Sequence, residues 1–533
     1  MRIPNEGPSL RRALLGCAGI AAVVQLVVVN YWPQFPSPNE RARAYQAMAV
    51  VSRATLAIDS EIERFGSIED IATSRGRLYP NKAPGATLLV VPAALVAHLV
   101  AASPERELAL TLVLGRMLAS SLPFLLTVLL LARYAVAATR PGAAVVVAFA
   151  VASPALTASL LLFSHSLAAL LLFAAFVLLY RAPRPDRWGA AAAGVAIGWA
   201  VTAEYPAVVP GAVLVALALI RLRLAGTAAL TAGAALPAVA LALYNQACFG
   251  SPFSLSSGHE AHAAYVSLAG RGVFGVGAPS LAAIAGLLAS PARGVLVWWP
   301  LVLLAAAGVR RHAAGGDDRL PLVLVPAALL LAMAGYPNWH GGWFPGPRYL
   351  LAAMPFAVVL AGRGAERLGR TPGGRVLIGA AALWGLAQTW LSLASFPFPP
   401  EDYPLPALTF AVPLLRAGVL VPTWLPDGAA AVLLAALAAA AAGLLCHVVC
   451  ATRREAAAVL AVAALALAAA AALPAPATWQ ARLERAVVHD LYVGSPRTGA
   501  LEELAPLCET PAQRIQLQRW LAERAALRAA HPE

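Results

Sequence analysis

Residues 428–473 read GAAAVLLAALAAAAAGLLCHVVCATRREAAAVLAVAALALAAAAAL. Two apolar runs, 428–450 and 455–473, are separated only by a short turn that carries Arg453 and Arg454. At ~1.5 Å per residue, about 20 helical residues cross a ~30 Å hydrocarbon core. Each run is long enough to span a bilayer, and the arginine pair marks the turn as cytoplasmic. Further runs of the same kind lie at 13–29, 85–102, 108–132, 142–180 (broken), 189–204, 206–221, 225–244, 293–309, 320–335, 348–362 and 376–394.

Composition agrees with that pattern. The 533 residues are 60% hydrophobic and 12% charged, with a mean hydropathy of +0.72. Soluble domains average roughly 45–50% apolar and about 25% charged. Soluble multidomain proteins, disordered chains, disulfide-stapled secreted domains and nucleic-acid binders are thereby excluded. The net charge of +13 is the signature of cytoplasmic loops before it is that of a polyanion partner. The five cysteines, Cys17, Cys248, Cys446, Cys450 and Cys508, have no metal spacing and form no disulfide framework. Alanine runs such as 429–442 and 468–472 suit close helix packing by small residues. No inverted repeat is visible, which weakens a secondary-transporter reading.

Arginine placement sets the orientation. Clusters at Arg2/Arg11/Arg12, Arg181/Arg184/Arg187, Arg221/Arg223, Arg310/Arg311/Arg319, Arg363/Arg367/Arg370/Arg375 and Arg453/Arg454 fall on one side under strict alternation from residue 189 onward. The run 13–29 ends in Asn30-Tyr31-Trp32-Pro33 without a cleavage site, so it reads as a retained first helix with its N-terminus inside. The spacing predicts an all-α, polytopic membrane protein of about 13 crossings, in which 142–180 counts as an odd number. Residues 1–473 form the membrane domain, with extracytoplasmic loops at 33–84 and 245–292. Residues 474–533 form a short helical tail that caps the outer surface.

This topology gathers the polar residues on the outer face. Glu40 follows Pro38-Asn39 just beyond helix one, where it can cap an amphipathic helix or serve as a base toward an acceptor hydroxyl. Arg43, three residues on, shares its helix face and could pair with it. Lys82, bracketed by Tyr79-Pro80 and Pro84-Gly85, is either a snorkelling anchor or a point charge for a lipid-linked phosphate. Glu204-Tyr205-Pro206 and the segment Asn338 to Tyr349, with Trp339, His340 and Arg348, project to the same side. Arg348 reads as a phosphate clamp or an interfacial residue. His259, Glu260 and His262 look like metal ligands, but their spacing on a loop fits a surface turn better. His165, within an apolar run, reads as an interhelical hydrogen-bonder.

The acidic residue of a P-[DN]-E setting after helix one, the amphipathic loop and a Y-x-x-K-x-P-[GL] segment resemble the GT-C glycosyltransferases. The similarity is to the bacterial protein-mannosyltransferase-like and aminoarabinose-transferase-like branches, over roughly residues 10–400. It also takes in Glu204-Tyr205-Pro206, Phe249-Gly250-Ser251-Pro252-Phe253 and Gly346-Pro347-Arg348-Tyr349. The resemblance implies an enzyme of the bacterial plasma membrane that uses a polyprenyl-phosphate sugar on the extracytoplasmic face. Its acceptor would be an envelope lipid, glycan or protein. It implies Glu40 as base, Arg43, Lys82 and Arg348 as phosphate ligands, and Asn39, Tyr79, Glu204, Tyr205, Trp339 and His340 as substrate contacts. No cofactor or metal is expected. Relatives carry Asp where this chain has Asn39, so catalysis is shifted by one residue to Glu40 or lost. The alternative is a non-catalytic carrier or flippase of lipid-linked glycans, which would place its charges at mid-membrane.

Overall fold

A computed structural model describes residues 8–29, 32, 35, 37–134, 139–180, 185–262, 265–267, 272, 275–309, 318–493 and 500–530. Asn30, Tyr31, Pro33, Arg2, Arg181, Arg184, Arg310 and Arg311, named above, lie outside the described residues. The chain is a helical bundle with one two-stranded sheet among the described residues. Eight described helices are long and apolar enough to cross a membrane, with shorter apolar helices such as His165–Tyr180 and Arg319–Ala334 between them.

The bundle has two chemically distinct ends. Its helices are α1 (Pro8–Val27), α2 (Pro38–Arg53), α3 (Asp59–Phe65), α4 (Thr87–Val100), α5 (Pro104–Arg116) and α6 (Leu122–Tyr134). Then come α7 (Arg140–Val151), α8 (Pro154–Ala158), α9 (His165–Tyr180), α10 (Arg187–Ala203), α11 (Val208–Arg221) and α12 (Leu224–Phe249). At one end Asp318 accepts from Tyr134 at 2.8 Å and pairs with Arg363 at 2.6 Å. Arg375 meets Glu455 at 2.6 Å, and Arg140 donates to the carbonyls of His447 and Val448. The arginine-rich turns therefore collect on one side of the bundle, as their alternation predicts. The opposite end carries the loops that build the site.

Two parts of the expected topology are corrected. The segment 142–180 was expected to cross an odd number of times; it makes two antiparallel passes. Ser153-Pro154 ends α7, and Ser153 caps α8 by accepting from Ala155 N–H at 3.3 Å. The chain then turns through 159–164 into α9. The runs 85–102 and 108–132 were expected to be two separate crossings. However, α4 begins at the site end, where Gly85 N–H donates to Thr202 at 2.6 Å. A Cβ on Gly85 would strike the Thr202 and Ala203 backbone, so only glycine allows that junction. α5 also ends at the site end, through Arg116, and continues across a π-turn at Met117–Ser121 into α6. The α4–α5 hairpin thus adds no net crossing, and the two corrections cancel in parity.

Small residues let the core helices meet backbone to backbone. A Cβ on Gly308 would clash with the Leu360 carbonyl, and one on Gly364 with that of Leu304. The same holds between Gly194 of α10 and Leu230 of α12. Such approach gains dispersion contacts where the lipid supplies no hydrophobic driving force.

Candidate functional site

The first outer loop carries the helices α2 and α3 and then a β-hairpin. β1 (Ile71–Ser74) pairs antiparallel with β2 (Arg77–Pro80), Ile71 opposite Pro80. Arg75 and Gly76 both have positive φ, 52° and 74°, the backbone of a tight two-residue hairpin. The register places the residue before β1 beside the residues after β2. Asn81 N–H donates to the Asp70 carbonyl at 3.3 Å, and Lys82 Nζ sits 2.9 Å from Asp70 Oδ1. The 245–292 loop adds to this edge: Glu260 bridges to Ala72, and Ala261 N–H donates to Ile71 at 2.9 Å. Asn81 Nδ2 then donates to Glu260 Oε2 at 2.8 Å.

A cavity of about 1080 Å³ opens against this edge. Lys82, Asp70 and Glu260 line one side, and the loop 336–349 brings His340 and Arg348. Gly341, Gly342 and Gly346 hold φ of +81°, +70° and +82°, so this loop turns tightly enough to aim both side chains inward. A Cβ on Gly341 would press on the Arg348 guanidinium, with Nε at 2.9 Å. Arg348 Nη2 donates to the Tyr349 hydroxyl at 3.0 Å. Its Cζ lies 4.9 Å from the Tyr349 ring centre and 5.8 Å from that of Phe163. No carboxylate among the described residues lies within ion-pair distance of Arg348, and its Nε is buried without a partner. Lys82 is paired, and His340 Nδ1 stands 2.8 Å from Glu401. Burial pushes the Glu260 carboxyl up to about 7, opposed by the Asn81 hydrogen bond and Lys82.

The structure separates the expected site residues. Asn39, Lys82, His340 and Arg348 line the cavity. Glu40 does not. Its carboxylate is buried, taking Arg116 Nε at 2.7 Å and Nη2 at 3.0 Å, with Leu162 N–H at 2.7 Å. The expected Glu40–Arg43 pair is absent because α2 is enclosed on several sides and the two side chains face different neighbours. Arg43 donates to the Asn39 carbonyl at 2.7 Å, to Asn39 Oδ1, and to Ser164 at 3.3 Å, and it is not part of the cavity lining. Burial lowers its guanidinium to about 10, so it stays charged.

Tyr79 packs with Phe249 and Cys248 in a small apolar cluster. Glu204 takes His165 Nδ1 at 2.8 and 2.9 Å, which is the interhelical bond expected of that histidine. Tyr205 meets Ser256 at 3.3 Å, and the Trp339 ring covers Gly286. None of Tyr79, Glu204, Tyr205 and Trp339 lines the cavity. The suspected His259-Glu260-His262 surface turn proves to be cavity wall in part: Glu260 and His262 line it, while His259 stacks on Phe249 at 4.8 Å. Asp70, Asn81 and Glu401 were missed, and Glu260 was noticed only as a metal-like loop residue. Only the hairpin could have revealed the first two, and Arg75-Gly76 lacks the Asn-Gly or Asp-Gly signal of such turns. The tail also reaches the cavity, with Glu484 and Trp520 in its wall.

No protein-family model matches the chain, and no curated protein matches it in sequence. Among solved structures it is similar to ArnT from Cupriavidus metallidurans bound to undecaprenyl phosphate. The identity is 15% and the TM-score 0.44, over 85% of this chain and 77% of that one. It is also similar to the archaeal oligosaccharyltransferase AglB from Archaeoglobus fulgidus, in complex with an inhibitory peptide and a dolichol-phosphate. There the identity is 15% and the TM-score 0.38, over 96% of this chain and 59% of that one. Both likenesses are loose. The cavity's own chemistry is what bears on function.

Proposed function

We propose that the chain is a membrane glycosyltransferase of the bacterial plasma membrane. It moves a sugar from a polyprenyl-phosphate donor to a cell-envelope acceptor at the extracytoplasmic face. One observation carries this reading: Arg348 faces the cavity, and no carboxylate among the described residues forms an ion pair with it. A guanidinium taken out of water is costly unless an anion accompanies it. A phosphate matches its fork of donors.

In this scheme the acceptor hydroxyl oxygen attacks the anomeric carbon of the donor sugar. The bond from that carbon to the phosphate oxygen breaks, and the electron pair leaves with the lipid phosphate. Arg348 and Lys82 hold the phosphate and offset its developing charge. The hydroxyl proton passes to a carboxylate. Glu40 is withdrawn beneath Arg116 and Asp70 is committed to Lys82; of the carboxylates that line the cavity, we assign the role to Glu260, which Asn81 holds on the Lys82 side. A carboxyl near 7, oriented by Asn81, is a well-matched base at neutral pH. Arg43 acts from behind, fixing Asn39 at the cavity wall. The charges lie at the bundle's end rather than at its middle, which favours an enzyme over a carrier.

The test is transfer of a labelled sugar from an undecaprenyl-phosphate-linked sugar donor by purified protein in nanodiscs, with Arg348→Gln as control. Transfer by wild type and its loss in Arg348→Gln are the expected result. Equal binding of undecaprenyl phosphate by both proteins overturns the assignment of the anion site.

A further inference from the structure

The wall of the cavity facing the tail is chemically unlike the Lys82–Arg348 side. It is built by the helix Trp479–Val487, its π-helical extension Val488–Tyr492, and the helix Pro511–Ala530. These segments are held firmly. Arg524 bonds Asp490 and Glu502 at 2.7 Å each, and leucines including Leu483, Leu501 and Leu517 close a small core around them. Tyr403, fully buried, donates to the Ala481 carbonyl at 2.5 Å and so ties the tail to the bundle. Phe35 and Trp343 pack on Tyr492, with ring centres 4.9 and 6.4 Å away.

On this scaffold runs a ladder of polar side chains. Trp479 Nε1 donates to Gln516 Oε1 at 3.0 Å. Gln516 Nε2 donates to Gln480 Oε1 at 3.3 Å, and Gln480 Nε2 to Glu484 Oε1 at 3.0 Å. Each bond fixes the orientation of the next amide. The ladder ends on Glu484 Oε2, which is buried and has no partner. Gln516, Gln480 and Glu484 all line the cavity, beside Trp520 and Glu523. An amide keeps donor and acceptor capacity after one bond of each kind. A row of oriented amides and a carboxyl beside an indole face presents what a hydroxylated ring needs: alternating donors and acceptors, and a flat apolar surface.

Charge then narrows the class. Glu401, Glu484 and Glu523 line the cavity with these amides, the Glu484 carboxyl raised by burial to about 7. Among the described residues the cations beside them are Arg519 in the lining and the buried Arg293 behind Glu401 and Glu484, so carboxylates outnumber cations here. Like charge brought close to a carboxylate is disfavoured, so this wall rejects an anionic ligand that the opposite wall accepts. We propose that the tail wall is the acceptor subsite, and that it takes a hydroxyl-rich saccharide that is neutral or amino-bearing, not one carrying carboxylate or phosphate. The inference rests on the transferase reading for the word acceptor; saccharide binding at this wall stands by itself.

Saturation-transfer NMR on the full-length protein in nanodiscs separates the two. The probes are an N-acetylglucosamine disaccharide, a glucosamine disaccharide and a glucuronate-containing disaccharide, with undecaprenyl phosphate titrated separately. Wild type should bind the first two at least about tenfold more tightly than the third, the scale of one charged contact. Gln516→Leu and Trp520→Leu should lose saccharide binding while undecaprenyl phosphate affinity stays unchanged. Glu523→Lys, at an exposed position that the fold does not need, should raise affinity for the glucuronate disaccharide about fivefold or more. Absence of saccharide binding by wild type, equal binding of all three, or full binding by both ladder variants overturns the subsite. Loss of undecaprenyl phosphate binding by wild type instead overturns the transferase reading.

Discussion

Replacing Glu40 with glutamine separates a catalytic carboxylate from a structural one. The carboxylate joins four segments: it begins α2, accepts from Arg116 at the end of α5, and accepts from Leu162 N–H, while Arg116 Nη1 also reaches the Val29 carbonyl at 2.5 Å. The side chains of Arg116 and Glu40 are only 7% and 2% exposed. Glutamine keeps the shape but not the chemistry. If its oxygen takes the Oε1 place, its NH₂ faces Arg116 Nη2, donor against donor, and the guanidinium is left buried without a counter-charge. Breaking a buried pair in this way costs about 3–5 kcal/mol. Glu40→Gln and Arg116→Met should each lower the thermal unfolding midpoint in nanodiscs. The double variant should recover part of the loss, with a coupling of roughly 2–3 kcal/mol. Turnover per folded molecule in Glu40→Gln should stay within a few-fold of wild type. A Glu40→Gln protein as stable as wild type whose turnover falls about 10²-fold or more would refute this reasoning and restore Glu40 as the base.

Four other outcomes are expected. Arg348→Gln and Lys82→Gln should each weaken undecaprenyl phosphate binding by about 1.5–3 kcal/mol, and Lys82→Arg should recover only part of it, because a planar fork is not a compact ammonium; unchanged affinity in both neutral variants refutes the clamp. Glu260→Gln should lower kcat at least about 10²-fold with donor affinity retained. Because burial raises this carboxyl to about 7 and the base acts ionised, wild-type kcat/KM should climb as pH rises through that value and flatten above it; a rate flat from pH 5 to 8 contradicts the assignment. In a cysteine-free background, cysteines at Ser67 and Gly342 should label from outside and one at Gly373 only after permeabilisation; labelling of Gly342 and Gly373 from one side refutes the orientation.

The Glu40 assignment shows where linear reasoning stops. A motif states which residue types lie near the mouth of helix one, and the helical period puts Glu40 and Arg43 within reach of each other. It does not say what occupies the space around α2. Arg116 lies 76 positions away and Leu162 122 positions away. Neither is identifiable as a partner until α5 and the 159–164 turn have packed. The same holds for Glu260, read as a loop residue until its bridge to Ala72 turned it into cavity wall.

The sequence alone determined the membrane class, the helical architecture and the end of the bundle at which the arginines gather. These follow from apolar run length and from the cost of burying charge, both of which are sums over local residues. It also placed Asn39, Lys82, His340 and Arg348 on the side where the cavity lies. Only the tertiary structure decided which polar side chains are spent on one another and which remain free to meet a ligand. Glu40 and Glu204 are consumed by Arg116 and His165, whereas Arg348 forms no ion pair with a carboxylate among the described residues. Pairing depends on distances of a few ångströms between segments far apart in the chain, and a short β-hairpin with a weak turn signal sets the ones that bring Asp70, Lys82 and Glu260 together.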